Sequence, residues 1–145
     1  MEVLFFDTSA LVKRYYEEDG SAAVDELIED DRRVVISSLA VIEIISAFRR
    51  KFNRTEIDSD DVDDLLAAFF EEALDEFVIV PMEESIQAFA FDLILEDDLR
   101  TLDSLQLSAA LSLTAEETDV VFVTADAELS TVADDRDLQT ETPGV

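Results

Sequence analysis

The chain is 145 residues long and carries 37 Asp and Glu against ten Lys and Arg, a formal net charge of −27 at neutral pH. That length suits a single domain over residues 1–145 with a substantial core, and a hydrophobic fraction of 48% argues for a folded chain instead of an acidic disordered tail. Cysteine and histidine are absent, which excludes disulfides, thiolate catalysis, zinc–thiolate sites and the usual general base. Chemistry falls to carboxylates, hydroxyls, arginine or a bound ion.

Short apolar, β-branched or aromatic runs predict strands at 3–6, 34–37, 77–80, 120–124 and near 138–140. Helical patterns lie between them at about 9–16, 21–29, 39–52, 59–74, 83–95, 101–113 and 127–133. Continuous apolar strands alternating with helices predict an α/β fold, a mostly parallel five-stranded sheet with helices on both faces. Only two glycines and two prolines occur, so the breaks rest on Asp, Ser and Thr caps, with Asp19-Gly20-Ser21 the clearest turn. No apolar stretch reaches the roughly 20 residues that span a bilayer, and the amino terminus reads as a strand lacking a signal peptide's basic region. A cytoplasmic protein is expected.

The charge is unevenly placed. Residues 1–54 carry eight basic and 11 acidic side chains, while residues 55–145 carry two basic and 26 acidic, so −24 of the net charge lies after residue 54. The acids are spread through many helical segments instead of one tail, which favours solubility in a salty cytoplasm over a field for one partner. The basic side chains Arg49, Arg50, Lys51 and Arg54 end the third helix and are candidate contacts for phosphate.

Four acids stand where an acid is out of place. Asp7 ends the apolar run Val3-Leu4-Phe5-Phe6, and Asp126 closes Val120-Val121-Phe122-Val123-Thr124-Ala125. Glu43 sits within Leu39-Ala40-Val41-Ile42-Glu43-Ile44-Ile45, with small uncharged helical neighbours and no basic partner. Asp103 interrupts Thr101-Leu102-Asp103-Ser104-Leu105 in the first turn of its helix. Asp7 and Asp126 also suit plain helix caps. A parallel sheet, however, binds ligands at the carboxyl ends of its strands, and one fold brings all four there. Converging carboxylates repel unless a divalent cation neutralises them, so a magnesium or manganese site is expected.

Four stretches, Phe6-Asp7-Thr8-Ser9-Ala10-Leu11-Val12, Ser37-Ser38-Leu39-Ala40-Val41-Ile42-Glu43, Leu99 through Ala110, and Phe122-Val123-Thr124-Ala125-Asp126, resemble PIN-domain ribonucleases. More narrowly, they resemble VapC-type toxins of toxin–antitoxin pairs. The resemblance spans nearly the whole chain. It implies a PIN-like three-layer sandwich and cleavage of RNA with Mg2+ or Mn2+, Asp7, Glu43, Asp103 and Asp126 falling on the family's four acidic positions. Thr8 and Ser9 fall beside the first acid and Thr124 on the hydroxyl position before the fourth. Gln106 is a departure, since relatives often carry histidine there.

On that reading Asp7 and Asp103 bind the metal, and Glu43 and Asp126 orient the water or hold a second ion. Arg49, Arg50, Lys51 and Arg54 extend the site toward RNA. A small antitoxin and a homodimer are expected partners, the latter because Phe69-Phe70 and Phe89-Ala90-Phe91 should each turn one ring away from the sheet. A housekeeping RNA-processing nuclease and a non-catalytic PIN-like scaffold stand as alternatives. A phosphoacceptor receiver domain would need an acid after the third strand and a lysine after the last, but those places hold Val80-Pro81 and no lysine. A haloacid-dehalogenase-type phosphatase would need an acid where Ser9 stands.

Overall fold

The computed structural model describes residues 2–116 and 118–145. Five strands, β1 (Glu2–Phe6), β2 (Arg33–Ser37), β3 (Val78–Val80), β4 (Asp119–Val123) and β5 (Gln139–Glu141), form one sheet in the order β3-β2-β1-β4-β5. Every pairing is parallel. The helices are α1 (Thr8–Tyr15), α2 (Ser21–Ile28), α3 (Ser38–Asn53), α4 (Ser59–Glu76), α5 (Glu84–Asp97), α6 (Thr101–Thr114) and α7 (Ala127–Asp135).

Alternation along the strands decides which helix lies where. In β1, Leu4 and Phe6 face a core built with Ala10, Val24, Ile44, Phe48 and Phe69 of α1–α4. Val3 and Phe5 face the other way, against Ile86, Leu93, Leu107, Leu129 and Ala133 of α5–α7. Phe5, Phe6 and Phe122 are fully buried, each worth roughly 1.5–3 kcal/mol relative to exposure. A sheet apolar on both faces needs helices on both, giving the three layers expected.

The edges differ from expectation. Phe77 caps α4 and leaves β3 with three residues, and β5 runs one residue later than anticipated. Edge strands pair on one side only, so their ends are set by the neighbouring helix more than by apolar pattern. Among the described residues no helix is long and apolar enough to cross a membrane.

The strand order places a switch point between β1 and β4. From β1 the chain moves to β2 and β3 on one side; it then returns to β4 and β5 on the other. The gap between diverging connections lies at the carboxyl ends of β1 and β4.

Candidate active site

Asp7 follows β1 at that gap and is 4% exposed. Its backbone N–H donates to Val123 O at 3.0 Å, holding it against the end of β4. Its side chain caps α1, Oδ1 accepting from Ala10 N at 3.1 Å and from Ser9 Oγ at 2.7 Å. Oδ2 accepts from Thr124 Oγ1 at 2.6 Å. Asp126 caps α7, but both bonds, from Glu128 N and Leu129 N, fall on Oδ1. Capping a helix and facing the gap are therefore compatible for both acids. A cap at the carboxyl end of a switch-point strand faces the gap.

Glu43, in α3, accepts from Thr8 Oγ1 at 3.1 Å and from Gln106 Nε2 at 2.8 Å, both on Oε1. Asp103 occupies the first turn of α6, with Arg100 Nη2 at 3.7 Å from its Oδ2. The four acids line one cleft of about 280 Å³ together with Thr8, Ser9, Ser46, Arg50, Leu102 and Gln106. A larger hollow, of about 670 Å³, lies between α2 and the last residues, but its Arg32 is paired to Asp30 and Glu2, each at 2.6 Å.

Residues 4–135 match the PIN domain family. The chain belongs to that family. No curated protein sequence matches it. Among solved structures, this PIN domain is similar to FitAcB from Neisseria gonorrhoeae, with a TM-score of 0.72 at 16% identity, over 97% of this chain and 98% of that one. It is also similar to VapBC2 from Rickettsia felis, bound there to a DNA fragment from its promoter (TM-score 0.68, 15% identity, 98% of each chain). A third similar structure is Mycobacterium tuberculosis VapC20, a Sarcin-Ricin loop cleaving toxin (0.64, 13%, 89% of this chain and 94% of that one). Identities this low establish the shared fold.

Electrostatics set the cleft apart from the acidic surface. Burial pushes Asp7 up to about 6, against the pull of its three donors and with a further push from the charge of Asp103. Asp103 is raised as well, by partial burial first and by the charge of Asp126 next. The PIN domain thus has acids that oppose one another's ionisation across a confined space, and hard oxygen donors of this kind suit magnesium or manganese. Among the described residues, though, no three carboxylates are gathered into a compact ligand set. Ser9, Thr124, Thr8 and Gln106 and the helix amides engage them instead.

The basic segment divides. Arg50 lines the cleft and donates to Ser46 Oγ at 2.9 Å. Lys51 does not extend it. It lies over the Tyr16 ring at 3.8 Å, with Glu18 and Glu56 each at 3.9 Å, because its side chain leaves α3 toward α1. Arg49 covers Phe52 at 4.6 Å, and Arg54 is exposed at the carboxyl cap of α3. Ser46 and Leu102 line the cleft though sequence did not count them in it, while Ser37 supports Gln106 from behind and Arg100 stands exposed beside Asp103. Gln106 does more than mark a departure, and its position one turn after Asp103 on the same helix face was the available signal.

Proposed function

We propose that this PIN domain is a metal-dependent endoribonuclease acting as the VapC-type toxin of a toxin–antitoxin pair. The observation that carries the reading is Asp7, buried at the switch point with its carboxyl pushed up to about 6 and Asp103 adding to the push. Such an arrangement costs stability unless it serves an ion or a proton transfer.

Asp7 and Asp103 hold the Mg2+ or Mn2+ in this reading. When bound, the ion supplies positive charge to the phosphoryl oxygen and lowers the pKa of an attacking water. Thr124, Ser9 and Ala10 N fix the rotamer of Asp7 before anything binds. Glu43 and Asp126 each bring one oxygen outside their hydrogen bonds to the cleft and orient the water or a second ion. Arg50 meets substrate phosphate, and Arg100, exposed beside Asp103, is within reach of the same strand.

The toxin role draws support from the similar VapBC and FitAcB structures. An antitoxin that brings a basic side chain to the four acids would neutralise the cleft and block it. A homodimer is supported by exposed apolar residues: Phe91 at 64% and Leu95 at 83% on α5, with Ile42 and Ile45 on α3. Of the two sets, Phe89-Ala90-Phe91 turns one ring outward, Phe91, while Phe69 and Phe70 both pack against the core. A single PIN domain over 1–145, a cytoplasmic location and a salt-adapted source complete the reading.

The deciding experiment maps RNA ends in cells expressing the wild type, Asp7→Asn or Asp103→Asn, with purified protein assayed in Mn2+ and in EDTA. New ends are expected with the wild type alone, and cleavage only with metal. Full activity in EDTA or in either variant sinks the mechanism. Co-purification with a small protein encoded beside it tests the toxin role, its absence favouring RNA processing.

A further inference from the structure

Gln106 is 3% exposed, yet its amide takes part in three hydrogen bonds to side chains of other elements. Ser37 ends β2, and its Oγ already accepts from Ala40 N, so its proton goes to Gln106 Oε1 at 3.0 Å. That turns Nε2 the other way, toward Glu43 Oε1 at 2.8 Å and Thr8 Oγ1 at 3.2 Å. Thr8 in turn donates to the same Glu43 oxygen at 3.1 Å. The reverse orientation would set the amide oxygen against a carboxylate, so the network permits one arrangement. No buried side-chain nitrogen or oxygen lacks a partner among the described residues.

We propose that Gln106 is a positioning residue for the cleavage reaction, acting through Glu43; the assignment rests on the ribonuclease reading above. Both donors fall on Glu43 Oε1, which leaves Oε2 as the oxygen offered to the cleft. The tie reaches back through Ser37 to the carboxyl end of β2, so a helix side chain is aimed by the sheet itself. A neutral amide does this without titrating and without adding charge to a site that already has four acids. Fully satisfied buried networks of this kind hold one geometry because each bond removed strands another group.

The test compares wild type, Gln106→Met and Gln106→Glu on an RNA fragment spanning the mapped cleavage site, in Mn2+. Methionine keeps the length and removes both donors. Its kcat should fall about 10–100-fold, the usual cost of losing a residue that orients a ligand of the site, with KM for RNA unchanged. Glutamate keeps the acceptor for Ser37 but can donate to Glu43 only when protonated. Its activity relative to wild type should therefore recover as pH falls. A merely structural role would lower the melting temperature and activity together and leave the pH profile alone. Independently of activity, the wild-type Gln106 side-chain amide protons should exchange slowly with solvent by NMR, and Glu43→Ala should speed that exchange. A Gln106→Met enzyme within twofold of wild type, or fast amide exchange in the wild type, overturns the assignment while sparing the ribonuclease reading. An inactive wild type overturns both.

Discussion

Thr124 donates its hydroxyl to Asp7 Oδ2 at 2.6 Å, joining residues 117 positions apart. The same Oγ1 accepts from Asp126 N at 3.1 Å, so one buried hydroxyl links the side chain of the first acid to the backbone of the last. Thr124→Val keeps the shape and removes both functions. Stability at pH 7 should fall by about 1.5–3 kcal/mol, the range for a hydrogen bond to a charged group. Near pH 5 the loss should be smaller, because a carboxyl with a pKa of about 6 is then mostly protonated. Urea midpoints at the two pH values check this, and equal losses contradict it.

Asp7 itself should make stability depend on pH in an unusual direction. Its folded pKa, about 6, lies above the ordinary 3.8, so the native state binds the proton more tightly than the unfolded chain does. Protonated Asp7 costs nothing extra below about pH 4. The penalty grows as pH rises from 4 to 6, then stays constant, at most about 3 kcal/mol for two units at 1.36 kcal/mol each. Asp7→Asn removes the titration. The stability of the variant relative to wild type should rise across that window and level off above it, whatever constant offset the altered hydrogen bonds add. Taking the difference cancels the many surface acids. A flat difference between pH 4 and 7 would falsify the burial argument.

Much of this architecture is legible in residue order. Val3-Leu4-Phe5-Phe6 and Val120-Val121-Phe122-Val123 are apolar at every position, which only a strand covered on both sides tolerates. Asp7 directly after the first run and Asp126 three residues after the second mark the carboxyl edge of that sheet as the candidate ligand site. The ordering of strands and the Ser37–Gln106 bond are not legible, since that bond joins residues 69 apart through uncharged groups that any surface could carry. Lys51 misleads for a related reason. Its neighbour in sequence, Arg50, turns into the cleft, and a helix sends consecutive side chains about 100° apart, so a basic run on a helix cannot all face one groove. One ring of the Phe69-Phe70 pair was expected to point outward, but Phe69 is buried against Tyr15 and Phe70 packs beside it against the same core.

The acidic surface should make folding depend on salt, though unequally from acid to acid. Asp58 and Asp61 form a capping box at the start of α4, where the helix end favours negative charge. Asp75 and Glu76 stand exposed in the last turn of that helix, where it disfavours them, and that turn itself holds no basic residue. Asp75→Asn and Glu76→Gln should each add about 0.3–1 kcal/mol at low ionic strength and nothing measurable at molar salt. Asp58→Ala, which also removes a negative charge, should instead cost about 0.5–2 kcal/mol through the lost cap. Thermal melts of these variants at roughly 0.1 M and 1 M salt separate the two effects. A wild-type midpoint unchanged across that range removes the case for salt adaptation.

Arg50 and Lys51 provide the sharpest contrast for substrate binding, being adjacent in sequence and divided in space. Arg50 lines the cleft, bonded among the described residues only to Ser46, and its guanidinium is available to a phosphate at small cost. Lys51 is 16% exposed and committed to Tyr16, Glu18 and Glu56. Arg50→Gln should raise KM for RNA while leaving kcat and the melting temperature near wild type. It should also flatten the dependence of log affinity on log salt by about 0.7, the increment for one phosphate contact on a single strand. Lys51→Gln should lower the melting temperature, since it releases α3 from the turn after α1, and leave both KM and the salt slope unchanged. Equal effects of the two substitutions on KM would mean that the basic segment acts through its overall field, and that Arg50 makes no phosphate contact of its own.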